Sequence, residues 1–155
     1  MSFFRSLQDS AFTDWFLGSE SIWTYPTVLT LHTIGMAILV GASFVVHLRI
    51  LQVANGIPLQ RLQQLYRFIW IGFIINLATG LVLFVTQAAD RVVDPVFYVK
   101  IGSIAMALWF GALVKRRAID PGVASPRQSR SLAAASLGLW VVAIVAGRLM
   151  AYLTS

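Results

Sequence analysis

The stretch IWTYPTVLTLHTIGMAILVGASFVVHLRIL, residues 22–51, decides the fold. It is long enough to cross a bilayer as one helix, because apolar runs of about 18 or more residues read as transmembrane spans. It also carries His32 and His47, the only two histidines of the 155-residue chain. An ionisable side chain at membrane depth is costly and marks function by default. From His32 to His47 a helix rises about 22 Å and turns about 60° beyond whole turns. Both imidazoles therefore fall on roughly one face, one near each membrane surface. That arrangement suits two metal centres stacked across a membrane.

Three further apolar runs follow, at 68–89, 96–114 and 132–153. Hydrophobic residues make up 58% of the chain and charged residues 12%, about half the charge of a soluble domain. The expected architecture is all-α: an integral membrane four-helix up-down bundle over residues 22–155. An N-terminal interfacial amphipathic segment, residues 1–21, precedes it. Within that segment Phe4, Leu7, Ala11, Trp15 and Leu17 partly follow a helical stripe, which suits a helix lying flat on the interface. Gly18 and Ser19 end it, and no cleavable signal peptide is read in it.

Pro26 falls in the first turn of span one, where proline is tolerated, and Trp23 and Tyr25 suit an aromatic belt. Asn55-Gly56-Ile57-Pro58 makes a turn, and Asp94-Pro95 opens span three. Asp120-Pro121-Gly122 and Ser125-Pro126 break the last loop. Connections this short give an up-down bundle.

Arg49, Arg61, Arg67, Lys115, Arg116, Arg117, Arg127 and Arg130 all flank two loops on one side. Arg5, Arg91, Lys100 and Arg148 belong to the other, with Asp9, Asp14, Glu20, Asp90 and Asp94. The positive-inside rule places the basic loops in the cytoplasm and both termini in the periplasm, in a bacterial inner membrane. The net charge of +6 thus reads as topology, with no separate basic fold for nucleic acid. The chain has no cysteine, which excludes disulfides, thiolate metal sites and covalent haem attachment.

Small residues recur at four-residue spacing: Gly72, Asn76 and Gly80; Ser103, Ala107 and Gly111; Ala143 and Gly147; Ala37 and Gly41. Such stripes let helices approach closely in lipid. Gly35 and Gly41 lie between the histidines, where a bared helix serves a porphyrin face as well as a neighbouring helix.

The histidines admit three readings. As axial ligands of non-covalent haem b, His32 and His47 would each be neutral imidazoles in a buried site. Arg49 and Arg67 on the basic side, and Arg148 on the other, would then clamp propionates through bidentate guanidinium contacts. As structural groups, the histidines would hydrogen-bond between helices. A proton path is weak, since no Asp or Glu lies in the middle of a span. Two bis-histidine haems need four imidazoles. A parallel homodimer supplies them across a two-fold axis. A single haem with Met106 or Met150, or ligands from another subunit, are the other solutions.

Several segments resemble a bacterial four-transmembrane-helix family known as a domain of unknown function. They are Tyr25-Pro26, Leu31-His32-Thr33-Ile34-Gly35-Met36-Ala37, Val40-Gly41, Leu48-Arg49, Trp70-Ile71-Gly72-Phe73 and Thr79-Gly80, then Phe97 with Lys100, Gly147-Arg148 and Ala151-Tyr152. The resemblance runs along nearly the whole chain and implies the four-span architecture without an activity. In that family the position of His32 is more typical than that of His47. The layout is also similar in outline to small b-type membrane cytochromes and to copper-resistance membrane proteins, a likeness of fold alone.

The expected function is electron transfer through haem b, at one or two sites, in exchange with quinone or a redox partner. The alternative is a cofactor-free accessory or scaffold subunit of a larger membrane complex.

Overall fold

The computed structural model describes residues 2–18, 23–119 and 126–153. The breaks read at Asp120–Gly122 and at Ser125, and the segment end at Ser19, lie outside them. Every element among the described residues is helical: α1 (Ser2–Gln8), α2 (Ala11–Gly18), α3 (Thr24–Ile50), α4 (Leu59–Val85), α5 (Ala88–Val93), α6 (Pro95–Val114) and α7 (Pro126–Leu153). A π-helical turn, Lys115–Ile119, continues α6. The helices α3, α4, α6 and α7 are long and apolar enough to cross a membrane, so this is a multi-pass membrane bundle. Large apolar side chains such as Leu31, Ile74, Leu81, Ile101, Val145 and Leu149 face outward, as a lipid solvent demands.

The chief pairings are α3 with α4 and α6 with α7, and α3 also touches α7. One end of the bundle carries the start of α3 and the end of α7. The other carries the Arg- and Lys-rich loops. Leu39, Val46, Leu62, Tyr66, Ile69, Ala107, Trp140 and Ala143 form the core cluster. It lies in the middle and the basic half.

The α3–α4 contact is made by glycine backbone. A methyl built on Gly72 would lie 2.5 Å from the Leu39 amide nitrogen and 2.8 Å from the Gly35 carbonyl oxygen. One on Gly35 would lie 2.9 Å from the Asn76 amide nitrogen. No side chain fits between these two helices at this level. Gly35 therefore serves the helix crossing. Gly41 is exposed with nothing within 4 Å of an added methyl.

The expected single N-terminal helix is two. The chain turns at Asp9–Ser10, and the Ser10 hydroxyl oxygen accepts from the Thr13 amide at 3.4 Å. Neither piece merely floats on the interface. Phe16 is buried against Tyr25 of α3, and the Gln8 side chain accepts from the Ala89 amide at 2.9 Å. The short α5 is a second departure from the sequence reading, as is the earlier start of α4 and α7. These added turns are polar, so a hydropathy window misses them.

Helix ends follow local rules. Asp94 caps α6 by accepting from the Val96 amide at 2.9 Å, with Pro95 in the first turn. After α3, the Gln52 amide bonds to the Arg49 carbonyl and the Val53 amide to the Leu48 carbonyl, a Schellman closure. It requires a left-handed residue, and Gln52 takes it with φ 64°.

Two stability results follow. Gly72→Ala forces α3 and α4 apart and costs about 1–3 kcal/mol, whereas Gly41→Ala stays within about 0.5 kcal/mol. Unfolding in detergent with increasing denaturant separates the two. Gln52→Gly relieves the left-handed strain and raises stability by about 1 kcal/mol, read as a higher melting temperature.

Candidate functional site

The two histidines sit in different surroundings. His47 lies on α3 towards the basic end and is only 1% exposed. Its Nδ1 is 2.5 Å from the Ser43 carbonyl oxygen, one turn back. A carbonyl can only accept, so Nδ1 carries the proton and Nε2 holds the lone pair in the neutral ring. That Nε2 is buried and unpartnered. Gly111 of α6 stands opposite, where an added methyl would lie 3.7 Å from both Cε1 and Nε2. The Tyr66 hydroxyl bridges from α4 to the Gly111 carbonyl at 3.1 Å, and the Lys115 ammonium sits 5.4 Å from the centre of the Tyr66 ring.

His47 opens onto a cavity of about 440 Å³, within the range of small-molecule sites. Ser43, Tyr66, Ile69, Trp70, Trp109 and Trp140 contribute walls, and Lys115 and Arg116 add positive charge. Trp140, 2% exposed, has an indole Nε1–H that is also buried without a partner. Sequence reasoning missed Tyr66 and Trp140, and read Gly111 only as a packing residue. The signal was available for Trp140, since tryptophan prefers the membrane interfaces and this one falls mid-span.

His32 lies half-buried on α3 towards the other end. Its Nδ1 is 3.0 Å from Thr79 Oγ1 on α4. Thr79 Oγ1 also lies 2.7 Å from the Ile75 carbonyl and 3.3 Å from the Asn76 carbonyl, which can only accept its hydrogen. With that hydrogen on a carbonyl, Thr79 Oγ1 accepts from His32 Nδ1–H, which leaves the Nε2 lone pair uncommitted by this bond. The Asn76 side chain donates to the His32 carbonyl at 3.0 Å. Gly80 lies beside the ring, where an added methyl would come within 3.2 Å of Cε1. Lys100 of α6 is within electrostatic range of the ring. Its stem runs along Gly147, where an added methyl would be 3.6 Å from Cε and Nζ. Asn76, Thr79 and Lys100 were not singled out as site residues in the sequence. Polar side chains at i and i+3 inside the apolar span 68–89 were the trace of Asn76 and Thr79, and a lysine inside the span 96–114 that of Lys100.

The arginines read as propionate clamps have these surroundings. Arg49 staples the turn after α3, donating to the Ile57 carbonyl at 2.6 Å and to Asn55 Oδ1 at 3.2 Å. Arg67 and Arg148 are exposed. Among the described residues no three His, Asp or Glu side chains converge on one point.

Family models, curated proteins and solved structures offer no match to this chain. The family resemblance stands on its quoted residues alone.

Asn76→Leu removes the bond that holds the His32 carbonyl across the helix pair. Interhelical bonds of this kind contribute about 0.6–1.7 kcal/mol in membrane proteins, and a loss in that range is expected on unfolding in mixed micelles.

Proposed function

We propose that the protein is a membrane electron-transfer protein that binds haem b non-covalently through His32. The observation that carries the reading is the 3.0 Å contact of His32 Nδ1 with Thr79 Oγ1: with the proton on Nδ1, it leaves Nε2 as the atom a haem iron requires. Ligating histidines almost always donate the other ring N–H to a fixed acceptor, which orients the ring. His32 is only part-buried, so a haem would dock from the outer side of the bundle. Gly80 offers the ring a neighbour without a side chain, and Lys100 supplies a cation for a propionate. Bound haem would supply one-electron chemistry. The chain's own contribution is to hold the imidazole neutral and oriented and to keep the site in lipid.

A further protein ligand for the haem would come from another copy in a homodimer or from a larger complex. The reading leaves His47 outside the haem site. By the positive-inside rule the basic loops face the cytoplasm of a bacterial inner membrane, with the His32 end towards the periplasm. Electrons would pass to or from a membrane quinone or a redox partner.

The test is a reduced-minus-oxidised spectrum of protein purified in mild detergent after expression with added haem. A b-type spectrum is expected, lost in His32→Ala and kept in His47→Ala. A colourless wild-type preparation rejects the reading and favours a cofactor-free accessory subunit.

A further inference from the structure

Two residues that line the cavity at the basic end, His47 and Trp140, each hold a buried polar atom without a hydrogen-bond partner among the described residues, Nε2 and Nε1–H. They are opposite in kind. The imidazole nitrogen accepts and the indole donates. An occupant that satisfies both carries a hydroxyl for the first and an oxygen acceptor for the second. An ionised carboxylate or phosphate offers no hydrogen to His47, so the cations Lys115 and Arg116 do not by themselves define the occupant.

The walls narrow the chemistry further. Tyr66, Ile69, Trp70, Leu108 and Trp109 are aromatic or aliphatic, which suits a flat apolar ring. Trp70 of α4 and Trp109 of α6 are 59% and 62% exposed, so the entrance lies on the lipid-facing side between these helices. A molecule dissolved in the bilayer reaches the cavity without crossing water.

We propose that this cavity binds the headgroup of a quinol. One ring hydroxyl donates to His47 Nε2, and the oxygen across the ring accepts from Trp140 Nε1–H. The binding geometry stands without haem, although its purpose rests on the electron-transfer reading above. The oxidised quinone can satisfy Trp140 but leaves His47 unpaired, so the site favours the reduced form.

The full chain in lipid nanodiscs is titrated anaerobically with duroquinol and separately with duroquinone, by calorimetry. Wild type is expected to bind the quinol about tenfold more tightly than the quinone, the effect of one buried hydrogen bond. His47→Leu abolishes that preference, and Trp140→Phe weakens both forms about tenfold. Gly111→Ala is the control for folding. Its methyl makes only ordinary contact with His47 at 3.7 Å, so the bundle survives while access to Nε2 is lost, and the quinol preference with it. His32→Ala retains full quinol binding even where it removes haem colour, so the two readings fail separately. No binding to wild type, or equal binding across the variants, overturns the proposal and leaves the two atoms to ordered water.

Discussion

Backbone contact between Gly35 and Gly72 is the constraint on which the rest of the molecule depends. In lipid no hydrophobic force pulls helices together, so association relies on close packing and on hydrogen bonds made across it. Here the approach is close enough to exclude a single methyl group. Once α3 and α4 meet at that level, their relative rotation and height are set. Asn76 then reaches the His32 carbonyl, and Thr79, three residues on, reaches the His32 ring. The orientation of one intramembrane imidazole is thus a direct result of two missing side chains about one turn away.

The second helix pair is joined more loosely to the first. α3 touches α7, while α4 and α6 are bridged by particular side chains: Tyr66 to the Gly111 carbonyl near the basic end, and a stacked Phe84–Phe97 pair near the other. Between a tight seam and a bridged one, space remains for the cavity beside His47. The π-helical turn that ends α6 carries Lys115 and Arg116 to its rim. Widened turns of this type are common where a helix is adapted to a site.

Much of the architecture was legible in the sequence because a bilayer imposes a length and a polarity that composition reveals. Pro95 opens α6 and the 55–58 turn follows α3, as the punctuation suggested. Partners were harder to read. Gly35 and Gly41 look alike in sequence, yet one is wedged against a helix and the other is open, because a stripe of small residues does not say which neighbour it meets. Arg49 likewise bonds to Asn55 and Ile57 of the turn that follows, partners that its place in the sequence does not announce. The His47 environment depends on Gly111 and Trp140, which lie 64 and 93 positions further on. No local pattern in the span 22–51 points to either.

The docking of the first helix has a consequence for how the protein is made. Gln8 of α1 bonds to Ala89 of α5, 81 positions later, and α5 follows the second membrane span. A nascent chain emerges from the ribosome N-terminus first, so α1 is synthesised well before its mate exists. It must wait through the insertion of two spans before it can settle. Such a distant pairing closes late, because the entropy of a long loop is lost before the contact repays it. The seating of α1 is therefore a late event in biogenesis, and its attachment to the bundle reports that the first helical hairpin is already in place.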